Sequence, residues 1–203
     1  PSIIPDIRVV WLGSNWPSAG EYNLVNDIPS VNAVLDTDVE LWICTVGGGT
    51  AEVRASKSDI LAIMPGKGTY VEPAVVGRHG GEFHHFGDYS VSLFENVGQD
   101  RRSLFDMAAV ATVKNPGWAD ATVIGAPYLE SDGSWTARDA NPRTVTFFRN
   151  YQSSAVMDDF WATMDDPAIG GPYAFFSAVV NELTVSLDAS ASVSASGAAL
   201  VGY

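Results

Sequence analysis

Val39-Glu40-Leu41-Trp42-Ile43-Cys44-Thr45-Val46 is the stretch on which the reading of the fold turns. Branched and aromatic residues dominate it, and Leu41-Trp42-Ile43-Cys44 is an unbroken apolar run, the pattern of a strand covered on both faces. Gly47-Gly48-Gly49 follows at once and ends it. Outward from there the same rhythm recurs, a short apolar run and then a turn cluster. The clusters are Gly13-Ser14-Asn15, Pro17-Ser18-Ala19-Gly20, Pro65-Gly66-Lys67-Gly68, Gly80-Gly81, Asn115-Pro116-Gly117, Ser131-Asp132-Gly133-Ser134 and Gly170-Gly171-Pro172. Between them the pattern predicts strands at 7–12, 39–46, 89–96, 121–128, 144–149, 174–187 and 192–201.

Alternation is clearest near the end of the chain. In Glu182-Leu183-Thr184-Val185-Ser186-Leu187 apolar and polar residues alternate, Asp188-Ala189-Ser190 can turn, and Ser192-Val193-Ser194-Ala195-Ser196 alternates again. That predicts an antiparallel hairpin with one face on a core. Its small-residue second arm is an edge that needs covering, for which a neighbouring subunit is one means. One helix is expected over 153–164, where Val156, Phe160 and Met164 recur at i, i+4, i+8 and Met157 and Trp161 widen the stripe. Ser153 or Ser154 can cap it and Pro167 stops it. A second short helix, or a loop with one turn, is read over 101–109 with Leu104, Phe105 and Ala108 as its apolar face.

The 203 residues carry 11 Lys and Arg against 24 Asp and Glu, a net charge of −13. The acidity sits at the ends: residues 1–53 are net −6, 54–149 net −1 and 150–203 net −6. Gripping nucleic acid takes clustered Lys and Arg, and only Arg101-Arg102 are adjacent. The single cysteine, Cys44, excludes an internal disulfide framework and, inside its apolar run, reads as a buried inert thiol. A chain of this length reads as one domain, 1–203.

Chemical motifs are sparse. Gly47-Gly48-Gly49-Thr50 lacks the spacing of a phosphate loop and reads as a hairpin or flexible loop. Residues 79–88 gather all three histidines, so His79, Glu82, His84, His85 and Asp88 form the alternative metal-ligand set. One strand face would supply only two of the three or four ligands such a site needs, and a polar interface loop is the preferred reading. The acidic pairs Asp36/Asp38, Asp158/Asp159 and Asp165/Asp166 read as solvated faces, and Asp132-Gly133-Ser134 as a turn rather than a calcium loop. No nucleophile elbow occurs. No catalytic residue, cofactor or metal is assigned.

The order of features resembles the tail tube proteins of long-tailed bacteriophages and related tailed viruses. The resemblance is carried by Arg143-Thr144-Val145-Thr146-Phe147-Phe148-Arg149, by Met157-Asp158-Asp159-Phe160-Trp161, and by Val179-Val180-Asn181-Glu182-Leu183-Thr184-Val185-Ser186-Leu187 with 193–201. Pro5-Asp6-Ile7-Arg8-Val9-Val10-Trp11 and Thr37-Asp38-Val39-Glu40-Leu41-Trp42 are similar to the start of some members, while residues 65–120 match nothing. The resemblance implies a mainly β fold: an antiparallel β-sandwich or half-barrel with one flanking helix, assembling into hexameric rings around a β-barrel lumen. It implies a structural, non-enzymatic virion protein, assembled in the host cytoplasm, whose stacked rings let DNA pass without specific binding. Its partners would be itself, a tape-measure protein and the tail terminator and distal tail proteins, with no membrane. Candidate subunit or ring-stacking contacts are Gly47, Gly48, Gly49, His79, Gly80, Gly81, Val193, Ala195 and Gly197, with arms at 1–6 and 198–203. The competing readings are another virion β protein (capsid decoration or jelly-roll coat) and a β-sandwich metal enzyme or lectin using residues 79–88.

Overall fold

The computed structural model describes residues 7–138, 141–165, 177–181 and 184–188, the last two segments as backbone. Contacts divide the chain into two compact units, one of residues 1–59 with 97–160 and one of residues 60–96 with 161–203.

The first unit is built on a sheet. Strand β1 (Arg8–Leu12) leads into α1 (Tyr22–Asn26) and α2 (Ile28–Leu35), and the chain returns as β2 (Glu40–Cys44). A helical crossover of this kind is what lets two strands run parallel, and β1 and β2 do so with Val10 beside Trp42. After β3 (Arg54–Ser56) and α3 (Lys57–Ile63) the chain passes into the second unit for the short strands β4 (Val75–Val76) and β5 (Glu82–Phe83) and for α4 (Phe86–Glu95), and is again in the first for β6 (Arg101–Ser103) and α5 (Phe105–Lys114). The chain continues through β7 (Asp120–Gly125), β8 (Tyr128–Leu129), β9 (Trp135–Thr136), β10 (Thr144–Arg149) and α6 (Ser153–Asp165), and ends in β11 (Ser177–Asn181) and β12 (Thr184–Asp188). The main sheet has the order β1-β2-β10-β7. β10 is parallel to β2, and β7 is antiparallel to β10.

Both faces of this sheet are covered, as the apolar run at 41–44 requires. On one face Leu41, Ile43, Val145 and Phe147 pack with Leu35 of α2 and Ala126, and Val9, Trp11, Trp16, Val31, Ile124 and Trp135 close around them. On the other, Cys44 and Phe148 are buried near Thr112 of α5 and Tyr151. Each fully buried side chain of this size contributes about 2 kcal/mol. Asp27 caps α2 by accepting from the Ser30 amide at 3.1 Å, and Pro29 sits in its first turn, where a missing N–H costs nothing.

The fold is therefore mixed α/β. The expectation of a mainly β sandwich or half-barrel, with one flanking helix and a barrel lumen, is corrected: the sheet is open, three of its four strands are parallel, and helices cover it. Helices were under-read because α1 and α2 are short and sit among Asn, Pro and Asp residues that look like turns. The strands expected at 7–12, 39–46 and 144–149 are β1, β2 and β10, and the helix expected at 153–164 is α6 with Val156, Met157 and Phe160 buried. The run at 101–109 is a three-residue strand followed by a longer helix, α5, whose buried positions are Ala108, Ala109, Ala111 and Thr112.

In the second unit the expected strand at 89–96 is instead α4, with Gly87, Ser90 and Phe94 buried. Their spacing is helical, and Gly87 sits so close to Met64 that a Cβ there would lie 1.9 Å from its carbonyl oxygen. Lys67 and Asp165 form an ion pair. The single strand expected over 174–187 is instead a hairpin within that run: β11 pairs antiparallel with β12, Val180 opposite Val185, while the second arm of the hairpin expected from 182–187 to 192–196 lies outside the described residues. The arm at 192–201, with Val193, Ala195 and Gly197, and the arms at 1–6 and 198–203, lie outside the described residues.

Candidate functional site

Because β1, β2 and β10 run parallel, their carboxyl ends emerge on one edge of the first unit, the place where open α/β sheets hold ligands. Three loops leave that edge and are sewn together by backbone bonds. Gly13 donates to the Cys44 carbonyl at 3.2 Å, Val46 to Ser14 at 2.8 Å, Thr45 to Phe148 at 3.1 Å and Asn150 to Gly48 at 2.9 Å. The Thr45 hydroxyl adds a 3.0 Å bond to the Phe148 carbonyl.

Side chains from the exit of β1 then fold back onto it. Glu21 caps α1: its Oε2 accepts from the Ser14 amide at 3.0 Å and from the Leu24 amide at 3.1 Å. Asn23 donates from Nδ2 to the Leu12 carbonyl at 3.1 Å. Asn15 accepts at Oδ1 from the Gly47 amide, 2.8 Å away, and so ties the first loop to the second. The Ser14 hydroxyl receives the Trp16 amide at 2.8 Å, and the Trp16 ring stacks on Phe147 with centroids 4.6 Å apart. Arg149, the last residue of β10, lies over the Trp16 ring at 5.9 Å. Its Nη2 is 3.0 Å from where a Cβ on Gly48 would stand, and Gly48 has φ +64°, a conformation that suits glycine. Two buried polar atoms here, Arg149 Nε and Thr50 Oγ1, have no hydrogen-bond partner among the described residues.

Beside this edge is a cavity of about 340 Å³ lined by β1 and α2, with Asn23, Asp27 and Ser30 as its polar side and Val10, Trp11 and Val31 among its apolar residues. Two hydrogen bonds from Ser30, by hydroxyl and amide, hold the exposed Asp27 carboxyl below the ordinary range.

The opposite face of the sheet is sealed. The Cys44 thiol is pushed up by burial and donates weakly to the Thr112 hydroxyl at 3.6 Å. The Tyr151 phenol, also pushed up chiefly by burial, is 2.7 Å from that same hydroxyl. A protonated thiol in such surroundings is a poor nucleophile, which agrees with the inert thiol read from the sequence.

The histidine-rich segment lies in the second unit. His79, Gly80 and Gly81 occupy the turn of the β4–β5 hairpin, where Gly80 and Gly81 have φ +88° and +84°. Glu82 is on β5. His84 stacks on Tyr70 at 4.7 Å and places Nδ1 2.9 Å from the Val71 carbonyl and 3.3 Å from Glu72. His85 faces Asp88 at 3.4 Å. Among the described residues no group of three or more His, Cys, Asp or Glu is placed to hold a metal. One member of each acidic pair is in a surface ion pair, Asp36 with Arg138, Asp159 with Lys114 and Asp165 with Lys67. Asp132 closes the expected turn by accepting from the Ser134 amide at 2.9 Å.

Gly47, Gly48 and Gly49 were singled out from the sequence, but as contacts between subunits; the structure places them in the loop after β2. Glu21, Asn23, Trp16 and Arg149 were not singled out as functional. The available signal was the polar set directly after an apolar strand, Ser14-Asn15 and then Glu21 and Asn23, which has meaning only once β1 is known to end at a parallel edge.

No family model and no curated protein matches the sequence. Among solved structures the chain is similar to a plant nucleoside hydrolase, with a TM-score of 0.53 and 14% identity over 73% of this chain and 48% of that one. At that identity the likeness is one of fold, and this chain spans about half the length of the matched structure. The finding overturns the resemblance to tail tube proteins, and with it the structural virion role and the assignment as a non-enzyme. The shared pattern was an order of strands and a helix, which a parallel α/β sheet reproduces as readily as a ring-forming β domain.

Proposed function

We propose that the first unit is the sugar-binding part of a nucleoside hydrolase-type domain, and that the edge formed by β1, β2 and β10 takes a ribosyl group. The observation that carries this is the disposition of Glu21, Asn15 and Asn23. Each is tied by one side-chain atom to the exit of β1 or to the loop beside it, and each keeps a second polar atom (Oε1, Nδ2 and Oδ1) without a partner among the described residues. A carboxylate and two carboxamides with spare atoms offer the mixture of acceptors and donors that vicinal hydroxyls need. Because their other atoms are already bonded, they are held in place before a ligand arrives, which lowers the cost of binding. The fold likeness to a nucleoside hydrolase supports the ribosyl class over other polyols.

Calorimetric titration with ribose and with uridine tests the reading. Binding of both is expected, weakened about tenfold or more in Glu21→Gln, since a charged hydrogen bond is worth roughly 1.5–3 kcal/mol. Wild-type protein that binds neither would sink it. Release of free ribose from uridine, followed as reducing sugar, asks in addition whether this chain hydrolyses what it binds.

A further inference from the structure

The chain has a net charge of −13, yet at this edge it holds a half-buried arginine, Arg149, with no acidic partner among the described residues. Four other arginines of the unit are engaged, Arg8 with Glu40, Arg138 with Asp36, Arg54 Nε with the Ala51 carbonyl and Arg143 Nε with the Leu35 carbonyl, while Arg101 and Arg102 stand away from this edge on β6. The Arg149 side chain makes no hydrogen bond or ion pair among the described residues. Its ladder neighbour Asp120 accepts at Oδ2 from Asn150 Nδ2 at 2.9 Å and makes no ion pair with Arg149. Glu21, the other carboxylate of the edge, is turned to the Ser14 and Leu24 amides. The Arg149 Nε atom is buried without an acceptor among the described residues.

A guanidinium left in this state is costly unless something supplies negative charge. It is also held ready. Trp16 lies beneath it, Phe147 fixes Trp16, and Gly48 leaves the space that any side chain would fill. Two Nη donors in a planar fork match the oxygens of a phosphate.

We infer that Arg149 is the anchor for a phosphate, so that the ligand of this edge is a phosphorylated ribosyl compound, a ribose phosphate or a nucleoside monophosphate, rather than a neutral sugar. The inference rests on the ribosyl reading for the sugar and on Arg149 alone for the anion. Titrations with ribose, ribose 5-phosphate and inorganic phosphate separate the two. Ribose 5-phosphate is expected to bind at least tenfold more tightly than ribose, and inorganic phosphate to compete with it. Arg149→Met is expected to remove that preference and Arg149→Lys to keep part of it. Glu21→Gln is expected to weaken ribose and ribose 5-phosphate by the same factor, leaving their ratio intact. Equal affinity for ribose and ribose 5-phosphate overturns the phosphate anchor while the ribosyl reading stands. A preference that survives in Arg149→Met with a native circular dichroism spectrum overturns it too, and should that variant fail to fold, an undiminished preference in Arg149→Lys does the same. Failure of all three ligands to bind wild-type protein overturns both.

Discussion

The two glycine-rich loops of this protein, Gly47-Gly48-Gly49 and the turn carrying Gly80-Gly81, look alike as sequence and differ in what surrounds them. The first is packed from several sides: Asn15 holds its leading amide, Arg149 lies against Gly48, and a Cβ on Gly49 would fall 2.2 Å from the Thr45 carbonyl oxygen. The second closes a two-residue hairpin, and a Cβ on Gly80 would meet nothing within 4 Å. Glycine is used at Gly49 because there is no room and at Gly80 because the backbone is left-handed. A crowded glycine loop at the end of parallel strands marks a place where backbone and side chains converge, and convergence is what a binding site needs. An open glycine turn marks only a change of direction.

Substitutions sharpen that contrast. Gly49→Ala is expected to have the largest effect, about 3 kcal/mol, because the atom it meets is backbone and cannot step aside. Thermal melts would show it as the largest loss of the set. Asn15→Ala should cost about 1.5 kcal/mol by leaving the Gly47 amide unpaired, and should weaken ribose binding measured by calorimetry. Gly80→Ala should cost about 1 kcal/mol from backbone strain alone, with no change in ligand affinity. If Gly80→Ala proved as damaging as Gly49→Ala in denaturant titration, the distinction between the two loops would be lost.

The parts legible in the sequence are those whose signal is local. The apolar run at 41–44 is a strand, the stripe at Val156, Met157 and Phe160 is a helix face, Asp132-Gly133-Ser134 is a turn, and Cys44 is buried. Where local signals conflict, the reading failed. Tyr89-Ser90-Val91-Ser92-Leu93-Phe94 alternates polar and apolar residues as a strand would, yet the chain there is α4, in which Ser90 turns its hydroxyl to the Phe86 carbonyl at 2.8 Å and is buried. A small serine satisfied by its own helix removes the penalty that alternation assumes. The site was less legible than the fold. Asn23 lies on a five-residue helix and Glu21 just before it, and Arg149 is 126 positions beyond Asn23 in the sequence.

Residue by residue, then, the chain specifies the strands β1, β2 and β10, the long helix α6 and its buried face, and an acidity that argues against gripping nucleic acid. Strand direction, the pairing order β1-β2-β10-β7 and the meeting of Asn15, Glu21, Gly48 and Arg149 at one edge were decided by tertiary structure alone. Periodicity reports which face of an element is covered, since burial acts on each residue where it stands. It carries no information on which distant element does the covering, and a parallel sheet, whose paired strands are always separated by a crossover along the chain, is settled by that alone.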